Sequence, residues 1–139
     1  INMSPTLNIV HISLVLLLVV SSEAGLFPRT VHLEVTNRLS NNKQLILHCY
    51  ERNGEDLREY LLFPGGQFIY AFKPRKYFFT SSKYYCRVKK SGSDLKWFVL
   101  WSQGRDGDAG RFIKWTLTDS KACRLGFTIS ESLCVFYNK

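Results

Sequence analysis

Val31-His32-Leu33-Glu34-Val35-Thr36 and Leu45-Ile46-Leu47-His48-Cys49-Tyr50 are the two stretches whose reading decides the fold. Side chains of a strand point alternately to opposite faces. In the first stretch Val31, Leu33 and Val35 therefore share one face, and His32, Glu34 and Thr36 the other. In the second, Leu45, Leu47 and Cys49 oppose Ile46, His48 and Tyr50, and apolar groups on both sides predict a strand covered on both faces. Working outward, the polar stretch Glu51 to Glu59 leads to a strand over Tyr60 to Phe63. Pro64-Gly65-Gly66 then supplies a fixed φ beside a residue free to take a positive one, which makes a turn. Strands follow over Gln67 to Lys73, Lys83 to Lys89, Leu95 to Ser102, Arg111 to Leu117 and Leu133 to Tyr137, with Ser91-Gly92-Ser93-Asp94 as a further turn. Gly126 to Glu131 fits either strand or loop. About eight short strands with no helical apolar period among them predict an all-β fold, an antiparallel β-sandwich of two sheets.

Ahead of these strands the apolar run Ile9 to Val20 leads into Ser22-Glu23-Ala24. The run is short for a bilayer span of about 20 apolar residues, and the small residues at Ser22 and Ala24 suit signal peptidase. Residues 1–24 are expected to be a secretory signal peptide, and residues 25–139 a single domain. The 25–139 segment keeps 19 basic and 10 acidic groups, because the leader contains only Glu23, so its net charge is +9. Such a surface favours anionic partners.

Cys49, Cys86, Cys123 and Cys134 are the four cysteines. In an oxidising compartment an even number without a C-x-x-C pair predicts two disulfides, and three pairings are open. A zinc site needs close ligand pairs, and His32 and His48 are the only histidines beyond the leader. His48 and Cys49 are adjacent on a strand and point to opposite faces, so they form no nucleophile–base dyad. Asp106-Gly107-Asp108 resembles part of a calcium loop but lacks the ligand spacing and the closing Glu. No enzyme activity, no metal site and no cofactor is expected. Trp97, Trp101 and Trp115 are expected to fill the space between the sheets. A stacking platform needs several rings on one exposed face beside basic groups; Tyr85 between Lys83 and Arg87 is the one local hint of it.

Several segments, taken in order, resemble the plant self-incompatibility protein family, also called S-protein homologues. They are Val31 to Leu39, Leu45 to Cys49, Glu55-Asp56-Leu57, Leu62-Phe63-Pro64-Gly65, Phe68 to Phe72, Tyr85-Cys86, Arg105-Asp106, Lys114-Trp115 and Ala122-Cys123. The resemblance implies a disulfide-stapled two-sheet sandwich and a non-enzymatic secreted ligand. In the stigmatic members such a protein is recognised by a membrane protein on incompatible pollen and triggers calcium entry and growth arrest. The chain departs from the family pattern at Arg58, where a Gly usually follows the acidic-Leu pair, and at Phe112-Ile113, where many members carry cysteines.

Recognition in a rigid sandwich usually lives on its loops. The charged ones here are Glu51 to Glu59, Lys73 to Lys76 and Gln103 to Gly110. In the last, Arg105, Asp106 and Asp108 are the expected receptor-contact residues; the alternative is a solvated turn in which Asp106 caps the backbone. Lys73, Arg75, Lys76, Arg87 and Lys89 form the expected basic patch. The expected function is a secreted ligand that binds a membrane receptor or other cell-surface protein in self-incompatibility or related cell-to-cell signalling. The alternative is a cationic defence or cell-wall-binding protein with an anionic cell-wall polysaccharide as partner. Nucleic acid is not an expected partner.

Overall fold

The computed structural model describes residues 4–26, 29–75, 81–126 and 132–139. Among them are nine strands: β1 (Val31–Asn37), β2 (Leu45–Glu51), β3 (Asp56–Leu62), β4 (Gln67–Phe72), β5 (Lys83–Lys90), β6 (Lys96–Ser102), β7 (Phe112–Leu117), β8 (Lys121–Arg124) and β9 (Leu133–Phe136). Two α-helices accompany them, α1 (Pro5–Leu26) and the single turn α2 (Gln103–Asp106), with a 3-10 turn over Ser40–Asn42. The expected sandwich is present, as a five-stranded sheet in the order β4-β1-β7-β8-β9 and a four-stranded sheet in the order β3-β2-β5-β6.

Every described strand pair is antiparallel except β1 with β7, which run parallel with His32 opposite Phe112 and Asn37 opposite Leu117. A parallel pair needs a long crossover. Here the whole four-stranded sheet lies between β1 and β7 in sequence and serves as that crossover. Strand β8 was not expected, and β3 begins at Asp56 rather than Tyr60, so the charged connection expected over Glu51 to Glu59 shrinks to residues 52–55. Gly126 has no regular structure, and residues 127–131 of the ambiguous segment lie outside the described residues.

Alternation on β1 and β2 buries Val31, Leu33, Val35, Leu45, Leu47 and Cys49 between the sheets. They meet Phe98, Leu100 and Trp101 of β6 and Ile113, Trp115 and Leu117 of β7 in one apolar core. Ring pairs run through it: Phe72 meets Trp101 edge-on at 5.1 Å, and Phe98 lies 5.5 Å from Trp115. The outer side of β2 is not covered as expected. Ile46, His48 and Tyr50 are half-buried, with Asp56, Tyr85 and Arg87 of the same sheet beside His48 and Tyr50.

Cys49 bonds Cys86, and Cys123 bonds Cys134. Both are directly opposed residues on neighbouring antiparallel strands, β2 with β5 and β8 with β9. The bridges thus lock pairs within each sheet, while the apolar core holds the sheets to one another. By loop length, 37 and 11 residues, chain-entropy reasoning gives about 4 and about 3 kcal/mol.

Two local devices fix the frame. Asn37, fully buried at the end of β1, donates from Nδ2 to the carbonyls of Lys43, Leu62 and Phe63 at 2.8, 3.0 and 3.2 Å, and its Oδ1 accepts the Leu39 N–H. One amide therefore ties the β1–β2 connection to the β3–β4 turn. In β3 the register with β2 slips between His48–Glu59 and Tyr50–Asp56, which leaves two residues, Leu57 and Arg58, opposite Cys49. This is a β-bulge, and Arg58 takes φ +69° in it. A left-handed residue in a bulge is where glycine is favoured, which gives the family's usual Gly a physical reason and marks Arg58 as strained.

Candidate functional site

The three loops singled out from sequence come together at one end of the sandwich. β2 ends there at Glu51, β4 at Phe72 and β6 at Ser102. Hydrogen bonds link the first loop to the second, Arg52 N–H to the Lys83 carbonyl at 2.9 Å and Arg52 Nη2 to the Ser81 carbonyl at 3.2 Å, and Arg75 N–H to Ser82 Oγ at 2.9 Å ties the second across itself. Arg75 also pairs with the buried carboxylate of Glu51, which binds the β4–β5 connection to the far sheet. Of the expected basic patch, Lys73 and Arg75 lie here with exposed side chains, Arg87 and Lys89 lie exposed on the outer face of β5, and Lys76 falls outside the described residues. The patch is thus two separate groups.

Asp106 is not at the surface. It is 1% exposed, and its carboxylate sits between two guanidiniums, with Arg105 Nη2 at 2.7 Å and Arg124 in direct contact from β8. It also accepts the Ser102 N–H at 2.9 Å. The backbone-capping role weighed from sequence is therefore what Asp106 performs, but in the interior. Arg105 is turned inward as well. Its Nη2 donates to the Val99 and Leu100 carbonyls at 2.9 and 3.1 Å, and its guanidinium lies 5.1 Å from the Trp115 ring centroid. Leu100 is the residue left unmatched where β6 slips against β5, so Arg105 satisfies carbonyls at an irregular point of the sheet. Burial removes Asp106 from the expected receptor contacts and leaves Asp108, which is exposed, as the loop acid that a partner can reach.

A second grouping was legible in the sequence only as Tyr85 between Lys83 and Arg87. On the outer face of β2, β5 and β6, Tyr50 stacks on Tyr85 with centroids 5.6 Å apart, and Trp97 meets Tyr85 edge-on at 5.8 Å. Trp97 is therefore a surface ring and not the core residue expected, whereas Trp101 and Trp115 are buried. Arg87 lies 5.1 Å from the Tyr50 centroid and Lys83 lies 5.4 Å from that of Tyr85. His48 joins the edge of the group, 6.4 Å from Tyr50, and its Nε2 lies 2.6 Å from Asp56 Oδ1. Hydrogen bonds from His48 and from the Arg58 N–H hold the Asp56 carboxyl below the usual aspartate value. The signal for this group was pairing register: Tyr50 faces Tyr85, and Arg87 faces Trp97.

The fold and its charged end define a class, a small disulfide-locked β-sandwich that displays its connecting loops at one end. The chain belongs to the plant self-incompatibility protein S1 family, whose pattern it matches over residues 32–136. It is 30% identical to S-protein homolog 29 of Arabidopsis thaliana over 119 residues, which is 84% of each chain. It is 29% identical to S-protein homolog 19 of the same plant over 97 residues, 70% of each.

Proposed function

We propose that the chain is secreted, that its leader is removed after Ala24, and that residues 25–139 act as an extracellular ligand recognised by a cell-surface protein in cell-to-cell signalling. The leader reading is supported by α1, which holds Leu7, Ile9, Val10, Ile12 and Leu14 at least half exposed, an apolar surface that a finished soluble domain does not keep. No helix among the described residues is long and apolar enough to cross a membrane. The observation that carries the ligand reading is the gathering of three charged loops at one end of a rigid, disulfide-locked frame, the arrangement that binding loops use. Exposed charges there include Arg52, Glu55, Lys73, Arg75 and Asp108.

The test is equilibrium binding of the oxidised protein, expressed with its leader, to pollen tubes and leaf protoplasts across a salt series. A loop variant, Arg52→Glu with Lys73→Glu and Asp108→Lys, runs alongside. Saturable, salt-resistant binding that the loop variant loses is the expected result. Binding that never saturates, fades with salt and ignores the variant would overturn it. That second outcome belongs to the cationic defence or cell-wall-binding reading, which the net charge of +9 on residues 25–139 favours.

A further inference from the structure

The outer face of the β3-β2-β5-β6 sheet has no task in the loop-end reading, yet it assembles rings and cations that the core does not need. We propose that this face is a binding platform for an extended acidic polysaccharide, a chain of sugar rings that carry carboxylates. The proposal stands apart from the loop-end reading, and either can fail alone.

Four observations carry it. First, Arg87 and Lys89 occupy successive outward positions on β5, with Lys83 two outward positions earlier, and outward positions on a strand repeat every ~6.7 Å. They form a cationic row that fits a polymer with regularly repeated carboxylates. The acids on this face, Asp56 and Glu59, lie on the edge strand β3, and Asp56 is already paired with His48. Second, the Tyr50 and Tyr85 hydroxyls make no hydrogen bond to any described residue. The Tyr70 and Tyr137 hydroxyls, in contrast, are committed to Glu55 and to the Thr118 carbonyl at 2.9 and 2.8 Å. Two half-exposed phenols beside a cationic row offer hydrogen bonds to a polyhydroxylated partner.

Third, β2 and β5 are each paired on both sides, so their main chains cannot add a peptide strand, and recognition on this face must run through side chains. Fourth, the ring faces of the two tyrosines are already engaged. Tyr50 and Tyr85 stack on each other, with Arg87 and Lys83 over their rings. A single-stranded nucleic acid needs free ring faces on which to stack its bases, whereas a uronate polymer needs hydroxyls and cations. Arg held over a ring keeps its N–H fork pre-organised for a carboxylate.

The experiment is calorimetric titration of the oxidised full chain with polygalacturonate at ~0.15 M salt, a regime in which weak long-range attraction is screened. Fully methyl-esterified polygalacturonate, polyglutamate and single-stranded RNA are the comparison ligands. Arg87→Gln with Lys89→Gln should bind polygalacturonate about thirtyfold more weakly, from roughly one cation's contribution each. Tyr50→Phe with Tyr85→Phe keeps the rings and removes only the hydroxyls; it should weaken binding about tenfold. Lys114→Gln with Lys121→Gln, an equal loss of charge on the other sheet, and the loop variant above should leave affinity within about threefold, since both act from a distance. Polyglutamate, RNA and the esterified polymer should bind at least about tenfold more weakly than polygalacturonate. Equal loss in the two Lys/Arg variants would reduce the site to net charge. Unchanged affinity in the Tyr pair, equal binding of polyglutamate or RNA, or no binding of polygalacturonate would each overturn the proposal.

Discussion

Replacing Asp106 by Asn is the sharpest probe of how this protein uses its charges. The substitution preserves shape, removes one negative charge from a side chain that is 1% exposed, and leaves Arg105 and Arg124 facing each other without a counter-ion. Breaking a buried ion pair by removing one partner costs about 3 to 5 kcal/mol. The two arginine side chains are 25% and 14% exposed, so water relieves part of their repulsion and the lower end, about 3 kcal/mol, applies. Against a total of about 5 to 15 kcal/mol that is a large fraction. With a urea slope of about 1.5 kcal/mol per molar, the midpoint of the oxidised chain should fall by about 2 M. Asp108→Asn, two residues away and exposed, should change stability by less than about 0.5 kcal/mol. If Asp106→Asn unfolds within that margin of the parent yet loses binding to its cellular target, the ion cluster is not structural and Asp106 is a contact residue after all.

Three further outcomes are expected. Arg58→Gly should raise stability by about 1 kcal/mol in urea unfolding, because the left-handed conformation at φ +69° penalises a side chain by about 1 to 2 kcal/mol and glycine returns part of that as chain entropy; Arg58→Ala, which keeps the penalty, should not stabilise. Asn37→Ala should cost about 3 kcal/mol by the same measurement, since it strands the Leu39 amide and three carbonyls in or near the core. Under limited thiol reduction, mass spectrometry should find Cys123 and Cys134 alkylated first. Cys134 is exposed and Cys123 half-exposed, whereas Cys49 and Cys86 are 1% and 0% exposed and need the core to open.

What the sequence revealed of the fold followed from alternation. β2 and β5 alternate along their length and β1 as far as Val35, because one face of each meets the core, and the burial along β5, with Tyr84, Cys86 and Val88 inside, repeats the residue pattern. β8 left no such trace. It is four residues long and turns only Ala122 fully inward, so no period can register. The start of β3 was hidden for a related reason: it is an edge strand with a bulge, and Leu57 is its only buried residue before Leu62. The parallel pairing of β1 with β7 is invisible to alternation, which specifies faces and not partners. The same limit placed Trp97 in the core, although its strand position puts it opposite Arg87 on the outer face.

The site was half legible for an electrostatic reason. Sequence shows charges but not which of them neutralise one another in space. Glu51 and Asp106 are buried among polar loop residues and consume Arg75, Arg105 and Arg124, partners 24, 1 and 18 positions away. At the loop end, therefore, much of the charge is already paired, whereas Arg87 and Lys89 stand on β5 with no ion pair to a described acid. Salt acts mainly on exposed, unpaired charge. The exposed loop charges are of both signs, Arg52 and Lys73 against Glu55 and Asp108, and partly offset one another, whereas Arg87 and Lys89 add. Binding through the loops should then weaken less with salt than binding through the outer face, and one salt series on a single protein separates the two surfaces. A common salt dependence for cell binding and polygalacturonate binding would mean that both use the same face.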